Sequence, residues 1–217
     1  IPTREVRRPV AHDEIGNGEG ANLVIARDYV AHLEEWDLAA ALGVYCRLLA
    51  RERGAYWTFL VFTGDLYLVG ASPERHVWLQ SGEVSMNPIS GTFRLAGGGS
   101  VDELAPRLHA FLADEKEIFE LFMVVDEELK MMCGMCADGG SILGPFLKPM
   151  SHLVHTEYLL NGRSGLDVRD VLRDSMFAAT VTGSPVENAC RLITRFEAGG
   201  RAYYRAVLAL LGRDPDG

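Results

Sequence analysis

A few carboxylates and histidines carry the chemistry this sequence could do. Glu74 closes Gly70-Ala71-Ser72-Pro73-Glu74, after an apolar strand-like run. A carboxyl on a proline-stiffened turn at a sheet end is placed to give a proton to a leaving group, although a plain turn would also call for the glycine and proline. His152 and His155 are followed by Glu157. That spacing lacks the further ligands of a zinc site, but a histidine beside an anionic substrate can stabilise charge or move a proton. Glu120 and the run Asp126-Glu127-Glu128 read mostly as a solvated helix face, yet Glu120 abuts Leu121 and Phe122. Grouped carboxylates hold magnesium when a substrate supplies further oxygens. Cys133-x-x-Cys136 has no second ligand pair for structural zinc and reads as small buried apolar residues near a helix end. Neither Ser175 nor Ser184 lies in a Gly-x-Ser-x-Gly elbow, which removes an esterase triad with His155.

The elements that must position these residues follow from the period of the apolar positions. From Asp37 to about Glu52, Leu38, Ala41, Leu42, Tyr45, Leu48 and Leu49 recur every three or four residues, with Gly54 just beyond. That predicts an amphipathic helix with a glycine stop. Leu23 to Arg27 is a short strand or a helix start. Tyr56 to Phe62 and Leu66 to Val69 predict strands around a Gly64-Asp65 turn, and His76 to Gln80 and Glu83 to Met86 flank a Ser81-Gly82 hairpin turn. No helices alternate with these strands, so the region reads as an antiparallel meander and not a doubly wound parallel sheet.

Helices are expected from near Asp102 and Asp114, the second with an apolar stripe of Ile118, Leu121, Phe122, Val125, Leu129 and Met132. Val154 to Leu160 is extended, ending at an Asn161-Gly162 turn. Leu166 to Phe177 is helical, Thr182-Gly183-Ser184-Pro185 is a tight turn opening a helix through Ile193, and a last helix runs from about Tyr203 to Leu211. The polar stretch Glu14 to Gly20 is loop. Gly97-Gly98-Gly99-Ser100 is a connector or mobile loop that lacks the context of a phosphate-binding loop.

The 30 acidic residues outnumber the 21 basic ones, giving a net charge of -9. That field disfavours a nucleic-acid backbone as partner. No apolar run approaches the roughly 20 residues of a membrane span, and four cysteines among 217 residues are too few for a disulfide scaffold. The start at Ile1-Pro2-Thr3-Arg4 and the turn-like end Asp214-Pro215-Asp216-Gly217 read as a piece of a longer chain.

Four motifs in order, Ser72-Pro73-Glu74, Asn87-Pro88-Ile89-Ser90-Gly91-Thr92, Asp114-Glu115-Lys116-Glu117 and Thr182-Gly183-Ser184-Pro185, resemble the chorismate-utilising enzymes. That family includes anthranilate synthase component I, aminodeoxychorismate synthase, and the isochorismate and salicylate synthases. The resemblance implies an α+β fold, an antiparallel sheet with flanking helices around one cleft, with residues 1–217 as a single partial domain lacking N-terminal and C-terminal portions. It implies that Glu74 is the general acid expelling the C4 hydroxyl of chorismate. Gly91 and Thr92 lie in a substrate-contacting loop, and His155 is the active-site histidine. Glu120 holds magnesium, with Glu127 and Glu128 as nearby carboxylates, and Gly183 and Ser184 receive a substrate carboxylate. Magnesium suits the physics, because a dianion entering an acidic protein needs a neutralising cation.

The same resemblance bears on the nucleophile. Water-adding members carry a lysine before a Val-Val-Leu-Ala-Arg strand, and Asn22 stands at that position in Asn22-Leu23-Val24-Ile25-Ala26-Arg27. An amide is no general base at neutral pH, whereas ammonia brings its own lone pair, so Asn22 points to amination. Anthranilate synthases typically carry Val-Asp-Leu-x-Arg-Asn-Asp where this chain has Val125-Asp126-Glu127-Glu128-Leu129-Lys130. It also departs at Thr156-Glu157-Tyr158 and at Val186. These departures resemble the phenazine-pathway and enediyne-pathway enzymes that stop at 2-amino-2-deoxyisochorismate. Anthranilate synthase and a non-catalytic binding or regulatory relative are the alternatives. The implied partner is a glutamine amidotransferase domain or subunit supplying ammonia, the implied location cytoplasmic, and a homodimer stays open.

Overall fold

The computed structural model describes residues 15–18, 20–26, 29–95, 100–204 and 206–213. In chain order the elements are β1 (Asn22–Leu23), α1 (Leu38–Arg51), β2 (Trp57–Phe62), β3 (Tyr67–Ser72), β4 (Trp78–Gln80), β5 (Glu83–Met86), β6 (Ile89–Arg94), α2 (Val101–Leu112), α3 (Glu115–Met135), β7 (Gly140–Pro149), β8 (Leu153–Arg163), α4 (Val168–Asp174), α5 (Ala179–Thr182), β9 (Gly183–Ser184) and α6 (Val186–Phe196). This is the expected mixed α and β architecture, an antiparallel sheet with flanking helices.

Local chemistry accounts for many of the boundaries. Asp37 caps α1 by accepting from the Ala40 N–H at 2.8 Å, and Ser100 and Glu103 form a capping box at the start of α2. Asp114 caps α3 by accepting from the Lys116 N–H at 2.9 Å. Ser81 and Gly82 both take positive φ (51° and 78°), the geometry that lets a two-residue turn follow the strand twist.

The strands from Tyr56 to Met86 do not form one meander. β2 and β3 make a separate two-stranded sheet, while β4 and β5 join a five-stranded one. The strand β8 organises that larger sheet. Along one edge it pairs with β7 from Gly140↔Gly162 to Pro149↔Val154. Its other edge is divided, with β5 on residues 160–163 and β6 on residues 153–157. The fully buried Asn87 fills the break between β5 and β6, donating through Nδ2 to Glu157 Oε2 and to the Tyr158 carbonyl, each at 3.0 Å.

Two expectations change here, and one strand, β7, carried no expectation. β8 runs on through Asn161-Gly162, where a turn was expected, because both of its edges are paired at that point. β7 carries no strand-like alternation and is extended through its ladder with β8. Residues 206–213 form no helix, and Leu208, Leu210 and Leu211 stay exposed. A short helix with no surface on which to bury its apolar face is marginal in water. The glycines 97–99 and the end 214–217 lie outside the described residues.

Helix α3 packs across β6 and β8 on one side and meets α4, α5 and β9 on others. The core between helix and sheet holds Val84, Met86, Leu121, Val125, Met132 and Leu160. The apolar stripe is turned from the expected one: Ile118 and Phe122 are exposed, whereas Val124 and Glu128 are buried. Leu160 has no exposed surface. Leu160→Ala is expected to cost about 2–5 kcal/mol of stability by leaving a cavity, measured as a lowered urea midpoint. Among the described residues no helix is long and apolar enough to cross a membrane.

Candidate functional site

Helix α3 carries carboxylates at two levels, and each level meets a different set of the expected site residues. At the C-terminal level the partner elements are the end of β3, α5 and β9. Glu74 follows β3, and the Ser72 hydroxyl donates to its carbonyl at 2.9 Å, holding the turn. The Thr180 hydroxyl donates to Glu74 Oε1 at 3.1 Å. Burial pushes the Glu74 carboxyl up to about 7, against the opposing effect of that hydrogen bond.

Glu128 reaches the same place from α3. It is completely buried, and neither carboxylate oxygen has a hydrogen-bond partner among the described residues. Burial raises its pKa well above the usual carboxylate range, and the charge of Glu74 raises it further. Two such carboxyls cannot both ionise cheaply in a low dielectric, so the pair holds a proton near neutral pH.

Glu127 is also buried. It accepts from the Ser184 hydroxyl at 3.0 Å and from Lys130 Nζ at 3.1 Å. Only Asp126 of the acidic run is a solvated residue, paired with Lys130 at 2.7 Å. The expected solvated face is therefore wrong for Glu127 and Glu128, because α3 is covered on more than its sheet side. Asn22 lies beside this group. It pairs with Ser184 in the β1–β9 ladder, and its Oδ1 accepts from the Leu23 N–H at 2.8 Å. The Gly183 N–H is committed to the Ala179 carbonyl.

Gly91, Thr92, His155, Glu117 and Glu120 form the N-terminal level. β6 is irregular between Ser90 and Phe93, and Gly91 there takes φ 62°. His155 Nδ1–H donates to the Gly91 carbonyl, which orients the ring and leaves Nε2 as the acceptor of the neutral form. Thr92 is exposed. Glu120 pairs with Lys116 at 2.9 Å, and the same ammonium serves Glu117 at 2.8 Å. These two carboxylates hold the Lys116 ammonium above its ordinary range.

Glu117 belongs to the Asp114-Glu115-Lys116-Glu117 motif, and the sequence assigns it no role of its own. Its Oε2 is buried without a partner among the described residues and lies against Gly91. Its position four residues before Leu121, on the buried face, was the signal available. Thr180, by contrast, left no signal in the sequence.

Glu120 stands seven residues, about 10 Å along the helix, from Glu127. The structure does not gather Glu120, Glu127 and Glu128 into one ligand set, and among the described residues no group of three or more His, Cys, Asp and Glu is spaced to hold a metal ion. Each level nonetheless offers a carboxylate oxygen left without a partner, the donor type that suits a hard cation sharing its shell with substrate oxygens.

The remaining expectations resolve simply. Cys136 is buried against Met132 as expected of a small apolar residue, but Cys133 is exposed. The Ser175 hydroxyl donates to the Leu172 carbonyl at 3.1 Å and Ser184 to Glu127, so neither serine engages His155. Glu157, two residues after His155, pairs with the buried Lys148 at 3.9 Å, and Lys148 Nζ lies 4.0 Å from the Tyr56 ring centroid. Burial pushes the Lys148 ammonium below its ordinary range, with Glu157 opposing. An apolar cavity of about 240 Å³ between α2, α3 and β7 is lined by Phe111, Ile118, Phe122, Phe146 and Tyr158, with Glu117 at its wall.

Comparison with known proteins bears on this arrangement. The model of the chorismate binding enzyme family matches residues 9–217. A phenazine-specific anthranilate synthase of Pseudomonas chlororaphis is 53% identical over 214 residues, which is 98% of this chain and 33% of that protein. Anthranilate synthase component I from Streptococcus pneumoniae superposes with a TM-score of 0.71 at 23% identity, over 91% of this chain and 42% of that one. The menaquinone-specific isochorismate synthase of Escherichia coli does so with 0.64 at 22% identity, over 75% and 37%. At those identities the two structures speak to the fold. The chain spans about a third of the length of the phenazine-specific relative.

Proposed function

The chain belongs to the chorismate-binding enzyme family, and on that footing we propose that it supplies the acid and nucleophile sides of a chorismate-aminating site whose product is 2-amino-2-deoxyisochorismate. The observation that carries the reading is the buried Glu74 carboxyl, protonated up to about pH 7 beside a second buried carboxyl. Ammonia attacks C2 of chorismate, the ring double bonds shift, and the C4–oxygen bond breaks. Glu74 gives its proton to the departing hydroxyl, which leaves as water. Asn22, at the place of the water-activating lysine and in register with Ser184, supports ammonia over water as nucleophile.

The Ser184 hydroxyl faces Glu127, so a substrate carboxylate arriving there needs a neutralising cation. Among the described residues the buried carboxylate oxygens without partners belong to Glu117 and Glu128. A magnesium ion would be held at one level or the other, by Glu120 as the resemblance implies or by Glu127 and Glu128, with substrate oxygens completing its shell. When bound, magnesium would offset the charge of the substrate carboxylate and polarise the ring. His155, oriented by Gly91, and the Gly91-Thr92 loop form the other wall of the substrate site. The ammonia comes from a glutamine amidotransferase domain or subunit. The 53% identity to a phenazine-specific relative supports this branch of the family.

The test is incubation of the full-length protein with chorismate, magnesium and ammonium, with products identified by mass spectrometry and pyruvate followed by a coupled lactate dehydrogenase assay. The aminated product without pyruvate is expected. Anthranilate with stoichiometric pyruvate would reassign the protein as an anthranilate synthase, and isochorismate would overturn the reading of Asn22. The two separate levels of site residues on α3 favour one other reading, a binding relative without chemistry, for which chorismate binds and no product forms.

Glu120→Gln is expected to raise the magnesium concentration needed for half-maximal turnover by about tenfold or more. The partly exposed pair with Lys116 contributes only about 0.3–0.5 kcal/mol, so the urea midpoint should stay close to wild type. An unchanged magnesium dependence would remove Glu120 from the metal site.

A further inference from the structure

We propose that Arg201 is a positioning residue that closes the β1–β9 corner and thereby sets Asn22 against Ser184; its bearing on catalysis rests on the proposed function. The Arg201 side chain is 5% exposed, and its donors run in three directions. Nε donates to Glu197 Oε2 at 2.8 Å, Nη1 to the Val181 carbonyl at 3.0 Å, and Nη2 to Glu197 Oε1 and to the Val24 carbonyl. Glu197 Oε1 also accepts from the Ala26 N–H at 2.8 Å. The guanidinium thus ties together the chain leaving β1 and the chain entering β9.

The ladder between these strands holds only Asn22↔Ser184 and Leu23↔Gly183, extended by Ala21 N–H to the Ser184 carbonyl at 2.8 Å and Val24 N–H to the Thr182 carbonyl at 3.1 Å. So short a ladder does not hold its own geometry in water. A fork of fixed N–H directions does, and that is the property that separates arginine from lysine. Burying an ion pair yields little net stability. What this pair supplies is registry, since it satisfies three backbone groups on both sides of the corner. The Tyr204 ring covers the guanidinium at 5.2 Å. At the other end of the ladder stand Asn22 and the Ser184–Glu127 hydrogen bond, where a displacement of the order of 1 Å is enough to cost about a hundredfold in rate.

The experiment uses the full-length protein with Arg201→Ala and Arg201→Lys. Amide hydrogen exchange read by mass spectrometry tests the clamp without reference to any reaction. In both variants, residues 21–26 and 181–184 are expected to exchange about tenfold or more faster, a local opening, while residues 153–163 keep their protection. Free guanidinium at millimolar concentration should restore protection in Arg201→Ala and not in Arg201→Lys.

In turnover, the KM for ammonium is expected to rise about tenfold or more in both variants, with magnesium dependence unchanged and guanidinium rescue confined to Arg201→Ala. Unchanged exchange at 21–26, full function with lysine, or loss of protection throughout the sheet without guanidinium recovery would each overturn the proposal. Wild-type protein that does not aminate chorismate would remove the reading of function, and the exchange measurements would still decide the clamp.

Discussion

Replacing Glu74 by glutamine is expected to lower kcat by about 10² to 10⁴-fold, the usual contribution of a positioned general acid, with KM for chorismate little changed. Glutamine keeps the volume and can still accept from Thr180, so the fold should hold. The wild-type rate should fall as pH rises through about 7, where Glu74 loses its proton, and that limb should be missing from the variant's profile. Stability should move in the same sense. The folded protein holds a proton on Glu74 that the unfolded chain releases near the ordinary value of 4.5. This contribution is fully present below about pH 4.5 and is lost as pH rises through about 7. The span corresponds to about 3 kcal/mol, and Glu74→Gln should remove that part of the slope and leave the part that the buried Glu128 carboxyl contributes in the same direction. Urea midpoints at pH 5 and pH 8 for both proteins check this. A variant with wild-type turnover and an unchanged basic limb would show that Glu74 does not donate the proton.

Gly183→Ala should be comparably damaging, for a backbone reason. Gly183 has φ 123° and ψ -176°, a region that only glycine occupies without strain. A Cβ at that position would also run into the Asn22 carbonyl. Strain and overpacking together are expected to cost about 3 kcal/mol or more, or else to push β1 off β9 and take Asn22 away from Ser184. The two outcomes separate in the measurements. Strain alone lowers the urea midpoint with KM for ammonium preserved, while loss of the strand pair raises that KM and opens the amides of 21–24 to exchange. A folded variant with wild-type stability and wild-type KM would show that the close approach of Gly183 to Asn22 has no consequence.

The sequence by itself determined what depends on neighbours a few residues apart. The α1 helix and the Ser81-Gly82 turn were legible because their causes are local: a period of 3.6 and a turn that needs positive φ. The ordered motifs likewise singled out Glu74, Gly91 and Gly183-Ser184 as candidates, and the structure places Asn22 in register with Ser184.

Only the tertiary structure decided which surfaces are covered. Helical spacing says that Leu121, Val124 and Glu128 share a face, but not that β9, α4 and α5 close over the flank where Glu127 and Glu128 lie. With those covers in place, Glu127 and Glu128 of a run that reads as solvated are buried, and Glu128 joins Glu74 in a pair that holds a proton. The 203–211 segment met the opposite fate, since its helical period found no surface to bury against. β7 is a strand only because β8, beyond the intervening turn, offers it a free edge, and the Arg201 clamp joins residues 177 positions apart. Burial and long-range pairing depend on which distant segments arrive at the same place, and no spacing within one segment encodes that.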